Sequence, residues 1–283
     1  MTKLASVQGA GLGLRRAFLD TVVEGPTEQI DFFEAAPENW IHTGGRLAKH
    51  FSALTERYAF VSHGLSLSLG SPAPLDEEFI LEIKEFLDRY RIRKYSEHLS
   101  YCSDDGHLYD LMPIPFTVEA VDYVANRIRR VQEILEQPIA IENVSYYAAP
   151  GKEMDEIDFL NAVIESADCE LLLDINNIYV NSINHGYDAY EFLAQIPAHR
   201  IAYGHIAGHY REAENLIVDS HGADVISPVW TLLEKAYQLF GVFPTLLERD
   251  FNIPPFPELL NEVGEIRRIQ RDHPRNEQNL RYG

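Results

Sequence analysis

The residues of this sequence that could do chemistry stand singly, each where a short apolar run stops. In chain order these stops are Arg15, Glu34, His63, Glu97-His98, Glu142-Asn143, Asp174 with Asn176 and Asn177, His205 and Glu248. Asp219-Ser-His221 follows the seventh of them. The sharpest is Glu170-Leu-Leu-Leu-Asp174-Ile-Asn176-Asn177, an apolar run that breaks into an acid and two amides. Taken one at a time each has a plain structural explanation. A His at a strand end is commonly just hydrogen-bonded, and an Asp there commonly caps the next helix. As a set they ask for more. Glu142, Asp174 and Glu248 brought to one place would repel one another and take up protons, and cations remove that cost. The donors are oxygen and nitrogen only, which suits iron, manganese or zinc. Cys102 and Cys169, the two cysteines, add no soft cluster. One ion of about four to six ligands cannot use so many donors. More than one ion is therefore expected, with Glu142 bridging two and Asp219-Ser-His221 serving a third.

The elements that must bring these residues together are legible from periodicity. Strand segments recur at Gly11 to Arg15, Asp31 to Ala36, Phe60 to Ser66, Lys94 to Tyr101, Ile139 to Ser145, Glu170 to Asn177, Ile201 to Ala207 and Thr245 to Asp250. Helical patterns lie between them: Leu47 to Tyr58, Asp76 to Tyr90, Thr117 to Leu135, Asp158 to Ala167, Tyr187 to Gln195, Ser227 to Phe240 and Pro257 to Ile269. Phe79, Ile83, Phe86 and Leu87 share one face of the second. Thr117 reads as a helix cap, and Ser227-Pro228 as a cap with Pro at the first helical position. Residues after Arg271 are expected to fray. Eight strands alternating with helices predict a (β/α)₈ TIM barrel filling one domain, residues 1–283, with its working site at the C-terminal ends of the strands. Gly9-Ala-Gly11-Leu-Gly13 opens the first strand instead of following it, so it reads as backbone accommodation and not as a phosphate-binding loop.

Bulk properties narrow the function classes. A chain of 283 residues suits one such barrel, and 46% hydrophobic residues supply its core. The formal net charge of −20 disfavours a nucleic-acid partner, because affinity for phosphate backbones comes from Lys and Arg. No apolar run approaches the roughly 18 to 20 residues of a membrane span. Met1 to Gly9 lacks the apolar core of a signal peptide, so a cytoplasmic protein is expected.

Longer motifs carry a resemblance. They are Phe33-Glu-Ala-Ala-Pro-Glu-Asn39-Trp, His63-Gly-Leu-Ser-Leu-Ser-Leu-Gly70, Ser96-Glu-His98-Leu-Ser, Ile141-Glu142-Asn143, Leu173-Asp174-Ile-Asn176-Asn177, Gly204-His205-Ile-Ala-Gly-His209 and Leu247-Glu248-Arg249-Asp250. The order His63, His98, Glu142, Asp174, Asn177, His205, Asp219, His221, Glu248 resembles the ligand order of the trinuclear-zinc endonuclease IV barrels, with Asn177 where those carry a His. The wording of the motifs is similar instead to another branch of the xylose-isomerase-like barrels. That branch is the multinuclear non-heme iron-dependent oxidative enzymes, formerly a domain-of-unknown-function family, which includes the methanobactin biosynthesis oxidase. The similarity runs from about Gly11 to Arg268.

The resemblance implies two or three iron ions. One would be held by Glu142, Asp174, His205 and Glu248, a second by His63, His98 and a share of Glu142, and a third by Asp219, His221 and Asn177. It implies dioxygen as co-substrate, a Cys-containing ribosomal precursor peptide as substrate, and a partner protein that presents the peptide leader. Asp250, two residues past Glu248, would share its face on a strand and is read as a catalytic group or ligand acceptor, with helix capping the plainer alternative. Asn143 is expected to orient ligands or substrate. His209 is expected beside the ligands and not among them, and Glu97 on the opposite strand face as a structural partner. The alternative reading is a metal-dependent hydrolase or isomerase of the endonuclease IV or xylose isomerase type, acting on phosphoesters or sugars. A third is a metal-binding or copper-stress accessory protein without catalysis.

Overall fold

The computed structural model describes residues 7–25, 27–103 and 107–273. The expected fraying past residue 273 and the reading of residues 1–6 lie outside them. All eight expected strands form. They are β1 (Ala10–Gly13), β2 (Phe32–Ala35), β3 (Ala59–His63), β4 (Tyr95–His98), β7 (Ala140–Glu142), β8 (Glu170–Asp174), β9 (Ile201–Ile206) and β12 (Thr245–Leu247). These run parallel and close into a barrel in the order β1-β12-β9-β8-β7-β4-β3-β2. Two hairpins stand in the loops after β4 and β9: β5 (Tyr101–Ser103) with β6 (His107–Met112), and β10 (Tyr210–Ala213) with β11 (Leu216–Val218). The helices of the described residues are α1 (Leu19–Glu24), α2 (Gly45–Arg57), α3 (Glu77–Tyr90), α4 (Val118–Leu135), α5 (Glu156–Ala167), α6 (Ile175–His185), α7 (Ala189–Leu193), α8 (Ser227–Phe240) and α9 (Phe256–Arg271). None is long and apolar enough to cross a membrane.

Local chemistry explains the borders. Asp76 and Thr117 cap α3 and α4 by accepting the amides of Phe79 and Ala120 at 3.0 and 3.1 Å. Arg91 and Glu136 stop the same helices in the left-handed conformation, at φ 58° and 56°. Val121, Val124, Ile128, Val131 and Leu135 give α4 a buried stripe, and cutting Ile128 to Ala would cost about 2–5 kcal/mol.

Four sequence expectations shift. The strand predicted to reach Asn177 stops at Asp174, because the Asp174 carboxylate caps a helix there by accepting the amide of Asn177 at 2.6 Å. Ser227 is the first helical residue of α8, and Ile226 holds the cap position with no side-chain bond. Ile80 takes the fully buried place expected for Phe79 on α3, and Phe79 is half-buried. The two hairpins were not among the expected strands; all four residues of β10 are exposed, so it carries no apolar alternation.

The bore of the barrel is built in layers two residues apart, the period of the pleat. Phe32, Val61, Ala140, Leu172, Tyr203 and Leu246 pack as one buried cluster. Two positions further along the same strands, or just past their ends, come Glu34, His63, Glu142, Asp174, His205 and Glu248. Ser96 and His98 are the corresponding pair on β4. On β1 the pair is Gly11 and Gly13, and a Cβ on Gly11 would fall 2.5 Å from the Phe32 ring. The outer helices cover the other strand face with the main core, and the acids and histidines singled out above gather at the C-terminal end of the bore.

Candidate metal centre

Parallel register brings the strand ends level. His98 is paired with Glu142, Asp174 with His205, and His63 with Ser96. Neighbouring strands lie about 4.8 Å apart, so paired residues on one face of the pleat carry their side chains into one volume.

Four donor groups follow among the described residues, one of them Glu34, His205 and Glu248. Nε2 of His63 lies 3.1 Å from Nε2 of His98 and 3.2 Å from Oε2 of Glu142, and His98 Nε2 is 3.4 Å from that oxygen. Donors around 2.1 Å from a common ion stand about 3.0 Å apart at a right angle and about 3.4 Å apart in a tetrahedron. Glu142, Asp174 and His205 form a second group, and Asp174, His221 and Glu248 a third. In these, His205 Nδ1 is 3.0 Å from Glu248 Oε2 and 3.9 Å from Asp174 Oδ2, and His221 Nδ1 is 3.3 Å from Glu248 Oε2. The carboxylates of Glu142, Asp174 and Glu248 each belong to two groups, the arrangement that bridging between ions requires.

Four of the atoms that face inward make no hydrogen bond, although ion-pair partners stand near them. Glu142 Oε2, Asp174 Oδ2, His205 Nδ1 and His221 Nε2 are buried without a hydrogen-bond partner. A buried polar atom without a partner costs about 1–3 kcal/mol, more for a charge. Cations among them would remove that cost, and the donor set therefore fits a metal cluster of nitrogen and oxygen ligands. The protonation pattern agrees. Burial, then Glu142, push the Asp174 carboxyl up to about 8. Burial also penalises charge on Glu142 and His98, but their mutual attraction outweighs it, holding Glu142 down to about 2 and raising His98 to about 9. His205 and His221 are raised well above the usual range against burial, the first by Glu34 and Glu248, the second by Asp219 and Glu248. Protons thus do part of the work that a cation would do.

Asp219 and His221 meet beside the third group. Asp219 Oδ1 lies 2.7 Å from His221 Nε2 and accepts the Asn176 amide at 2.8 Å, while Ser145 donates to Oδ2 at 2.9 Å. His221 sits at φ 47°, a strained conformation for a residue with a Cβ, of the kind that persists at functional sites. Asn177 turns the other way, donating its amide to Glu142 Oε1 and Asn143 O at 3.1 Å each, with its own Oδ1 unpartnered. The amide that touches Asp219 is that of Asn176. His209 supports it, pairing with Asn176 Oδ1 at 2.7 Å and stacking on Tyr179.

The residues expected to be catalytic fall on either side of this cluster. Asn143 uses both ends of its amide on the Asp174 main chain, at 2.9 Å each, which ties β7 to β8. Asp250 lies past the end of β12, exposed at the mouth, where it pairs with Arg15 and with His221 Nδ1 at 3.2 Å. Arg15 also reaches Glu248 at 3.4 Å. Glu97 turns to the outer face, accepting from Tyr95 Oη at 2.9 Å. The close approach there needs Gly64, since a Cβ on it would fall 2.0 Å from Tyr95 Oη.

Two participants were missed in the sequence. Ser96 pairs with His63 Nδ1 at 2.7 Å, and Tyr203 with Ser96 at 2.7 Å and Glu34 at 2.7 Å. Each stands two residues before a histidine already singled out, His98 and His205, so the strand period alone pointed to their face.

Comparison with known proteins follows from this geometry. Residues 9–271 match the sequence profile of the RiPP precursor modification enzymes MbnB/TglH/ChrH. A UPF0276 protein of Shewanella sediminis is 62% identical over 260 residues, covering 92% of this chain and 94% of that protein. Among solved structures, 3-keto-D-glucoside 4-epimerase from E. coli superposes with a TM-score of 0.61 at 13% identity, covering 92% of this chain and 99% of the other. D-psicose 3-epimerase from Clostridium cellulolyticum H10 gives a TM-score of 0.60 at 11% identity, covering 94% and 96%. At such low identity these two likenesses establish the fold and nothing more.

Proposed function

Since the chain belongs to the MbnB/TglH/ChrH family of RiPP precursor modification enzymes, we propose that it is a multinuclear iron-dependent oxidase that uses dioxygen to modify cysteine residues of a ribosomally made precursor peptide. The observation that carries this reading is the set of buried donor groups formed by His63, His98, Glu142, Asp174, His205, His221 and Glu248, in which Glu142 Oε2, Asp174 Oδ2, His205 Nδ1 and His221 Nε2 make no hydrogen bond. The protein's donors are nitrogen and oxygen only, so any thiolate on a bound iron would come from the substrate. Bound iron would supply open positions for a thiolate and dioxygen and a route for electrons between them.

The residues around the mouth fit a peptide. Leu65, Met112, Tyr147, Tyr210, Leu216 and Phe251 are exposed large apolar side chains, and all stand on segments that follow the C-terminal ends of barrel strands. Exposed apolar surface gathered at one end of a fold marks an interaction site. Asp250, the acid open to solvent there, would receive the proton of an incoming thiol, and Arg15 would hold Asp250 and Glu248 in place. Asp219 and His221 would complete the ligand set on one side, and the unpartnered Oδ1 of Asn177, which stands beside Glu142, on the other. The net charge of −20 favours a basic leader or a basic partner protein that presents it.

Co-expression with any small Cys-containing open reading frame found beside its gene, followed by peptide mass measurement, tests the proposal. A mass change that requires oxygen and iron, and vanishes in Asp174→Ala and His205→Ala, supports it. Zinc- or manganese-dependent turnover of a sugar or phosphoester without oxygen would replace it by the hydrolase or isomerase reading.

A further inference from the structure

Beneath the donor cluster runs a continuous line of hydrogen bonds that spans the bore. His63 Nδ1 meets Ser96 Oγ at 2.7 Å, Ser96 Oγ meets Tyr203 Oη at 2.7 Å, and Tyr203 Oη meets Glu34 Oε2 at 2.7 Å. His205 Nε2 reaches the same Glu34 oxygen at 2.9 Å. The three linking residues are 0%, 1% and 2% exposed in the order Ser96, Tyr203, Glu34, so water does not compete for these bonds. Ser96 and Tyr203 are the hydroxyl-bearing members of a layer otherwise made of Phe32, Val61, Ala140, Leu172 and Leu246. Two polar groups in an apolar layer are costly unless paired, and here they pair with each other across β7 and β8.

Counting protons gives the line a single direction. An ionised Glu34 can only accept, so Tyr203 and His205 both donate to it. The one hydroxyl proton of Tyr203 is then committed, and Tyr203 must accept from Ser96. Ser96 is committed in turn and must accept from His63 Nδ1. In the neutral form that metal binding requires, both histidines are thereby left with a bare nitrogen on the other side of the ring. For His63 this is Nε2, which faces His98 and Glu142. For His205 it is Nδ1, which faces Glu248 and Asp174. These are the nitrogens that a metal would need.

We propose that Glu34, Tyr203 and Ser96 are positioning residues that fix, through one shared carboxylate, the tautomers of His63 and His205 on opposite sides of the centre, so that both present a lone pair to the metals. The inference rests on the metal reading of the site and goes beyond it, since none of the three residues is a ligand in that reading. Ser62 O, 3.4 Å from Ser96 Oγ, is the acceptor to which Ser96 would turn once Tyr203 Oη is removed.

The test uses full-length protein with 15N-labelled histidine, loaded with Zn²⁺, a diamagnetic probe. Long-range 1H–15N correlations are expected to show His63 protonated at Nδ1 and His205 at Nε2, with both N–H protons slow to exchange into D2O. In Tyr203→Phe the His63 N–H should exchange at least about tenfold faster while that of His205 stays slow, and Zn²⁺ affinity should fall on the order of tenfold or more. Glu34→Gln, which removes the charge that orders the line, should mix the tautomers of both histidines. Circular dichroism of the zinc-free variants separates these effects from misfolding, and Ser96→Ala provides a smaller truncation with the same expected His63 signature. Opposite tautomers in the wild type, or variants whose tautomers, exchange and affinity match it, would overturn the relay alone. Wild-type protein that takes up no Zn²⁺ would overturn the metal reading and the relay with it.

Discussion

Nε2 of His63 and Nε2 of His98 face each other at 3.1 Å, with Glu142 Oε2 closing the triangle. Two imidazole lone pairs approach this closely only with a positive centre between them, whether a proton or a metal ion.

His98→Ala should therefore remove one metal position while leaving the barrel intact, because His98 sits at the half-buried rim and not in the core. Metal content after loading is expected to drop by one ion per chain. Affinity at that position should fall by more than the about 100-fold that loss of an outer hydrogen-bond partner costs. Elemental analysis and a calorimetric titration check both. Unchanged stoichiometry would place His98 outside the ligand set.

Metal uptake should release protons. At pH 7 the metal-free centre holds protons on His98, raised to about 9, and on Asp174, raised to about 8. Ligands must be deprotonated to bind, so apparent affinity should rise with pH until these values are passed. The same shifts act on folding. The raised His98 stabilises the native state fully below its unfolded value and loses that contribution as pH climbs towards 9. The raised Asp174 acts as a penalty that grows from about pH 4 to 8. Chelator-treated protein should consequently show a Tm that falls between pH 7 and 9, while the zinc-loaded protein changes much less over that window.

Glu156 offers a pH effect away from the centre. Burial raises its carboxyl to about 7, despite hydrogen bonds from Asn181, Tyr146 and Tyr187 that favour ionisation. Its folded value lies above its unfolded one, so ionisation costs stability progressively from about pH 4.5 and fully above 7. Glu156→Gln should leave Tm near wild type at pH 5 and raise it relative to wild type at pH 8. Thermal unfolding at the two pH values decides it, and an equal shift at both would remove the titration from the account.

Asn143→Ala breaks two buried hydrogen bonds to the Asp174 main chain. Each is worth about 1–3 kcal/mol when its partner is left unsatisfied, so Tm should fall by several degrees and metal affinity with it, since Asp174 loses its brace. A variant with normal stability and metal content but lost turnover would instead make Asn143 a group that touches substrate.

The amino-acid sequence by itself determined the barrel and the kinds of atoms at its mouth. Apolar runs of strand length, interrupted by caps such as Asp76 and Thr117, define eight strands and the helices between them. The break from Leu173 to Asp174 marks where a strand leaves the core. These signals are local: they depend on the two-residue pleat and the 3.6-residue turn. Tertiary structure decided which atoms meet. Ser96 and Tyr203 are 107 residues apart and touch only because β4 and β9 face each other across a closed bore. The turn of Asn177 towards Glu142, leaving Asn176 to hold Asp219, follows from the first turn of α6 starting at Ile175 and not from any spacing in the chain. The hairpins of the mouth were also hidden, because their strands are short and β10, exposed throughout, carries no apolar rhythm. Closure of the barrel sets distances between side chains that no short window of sequence contains.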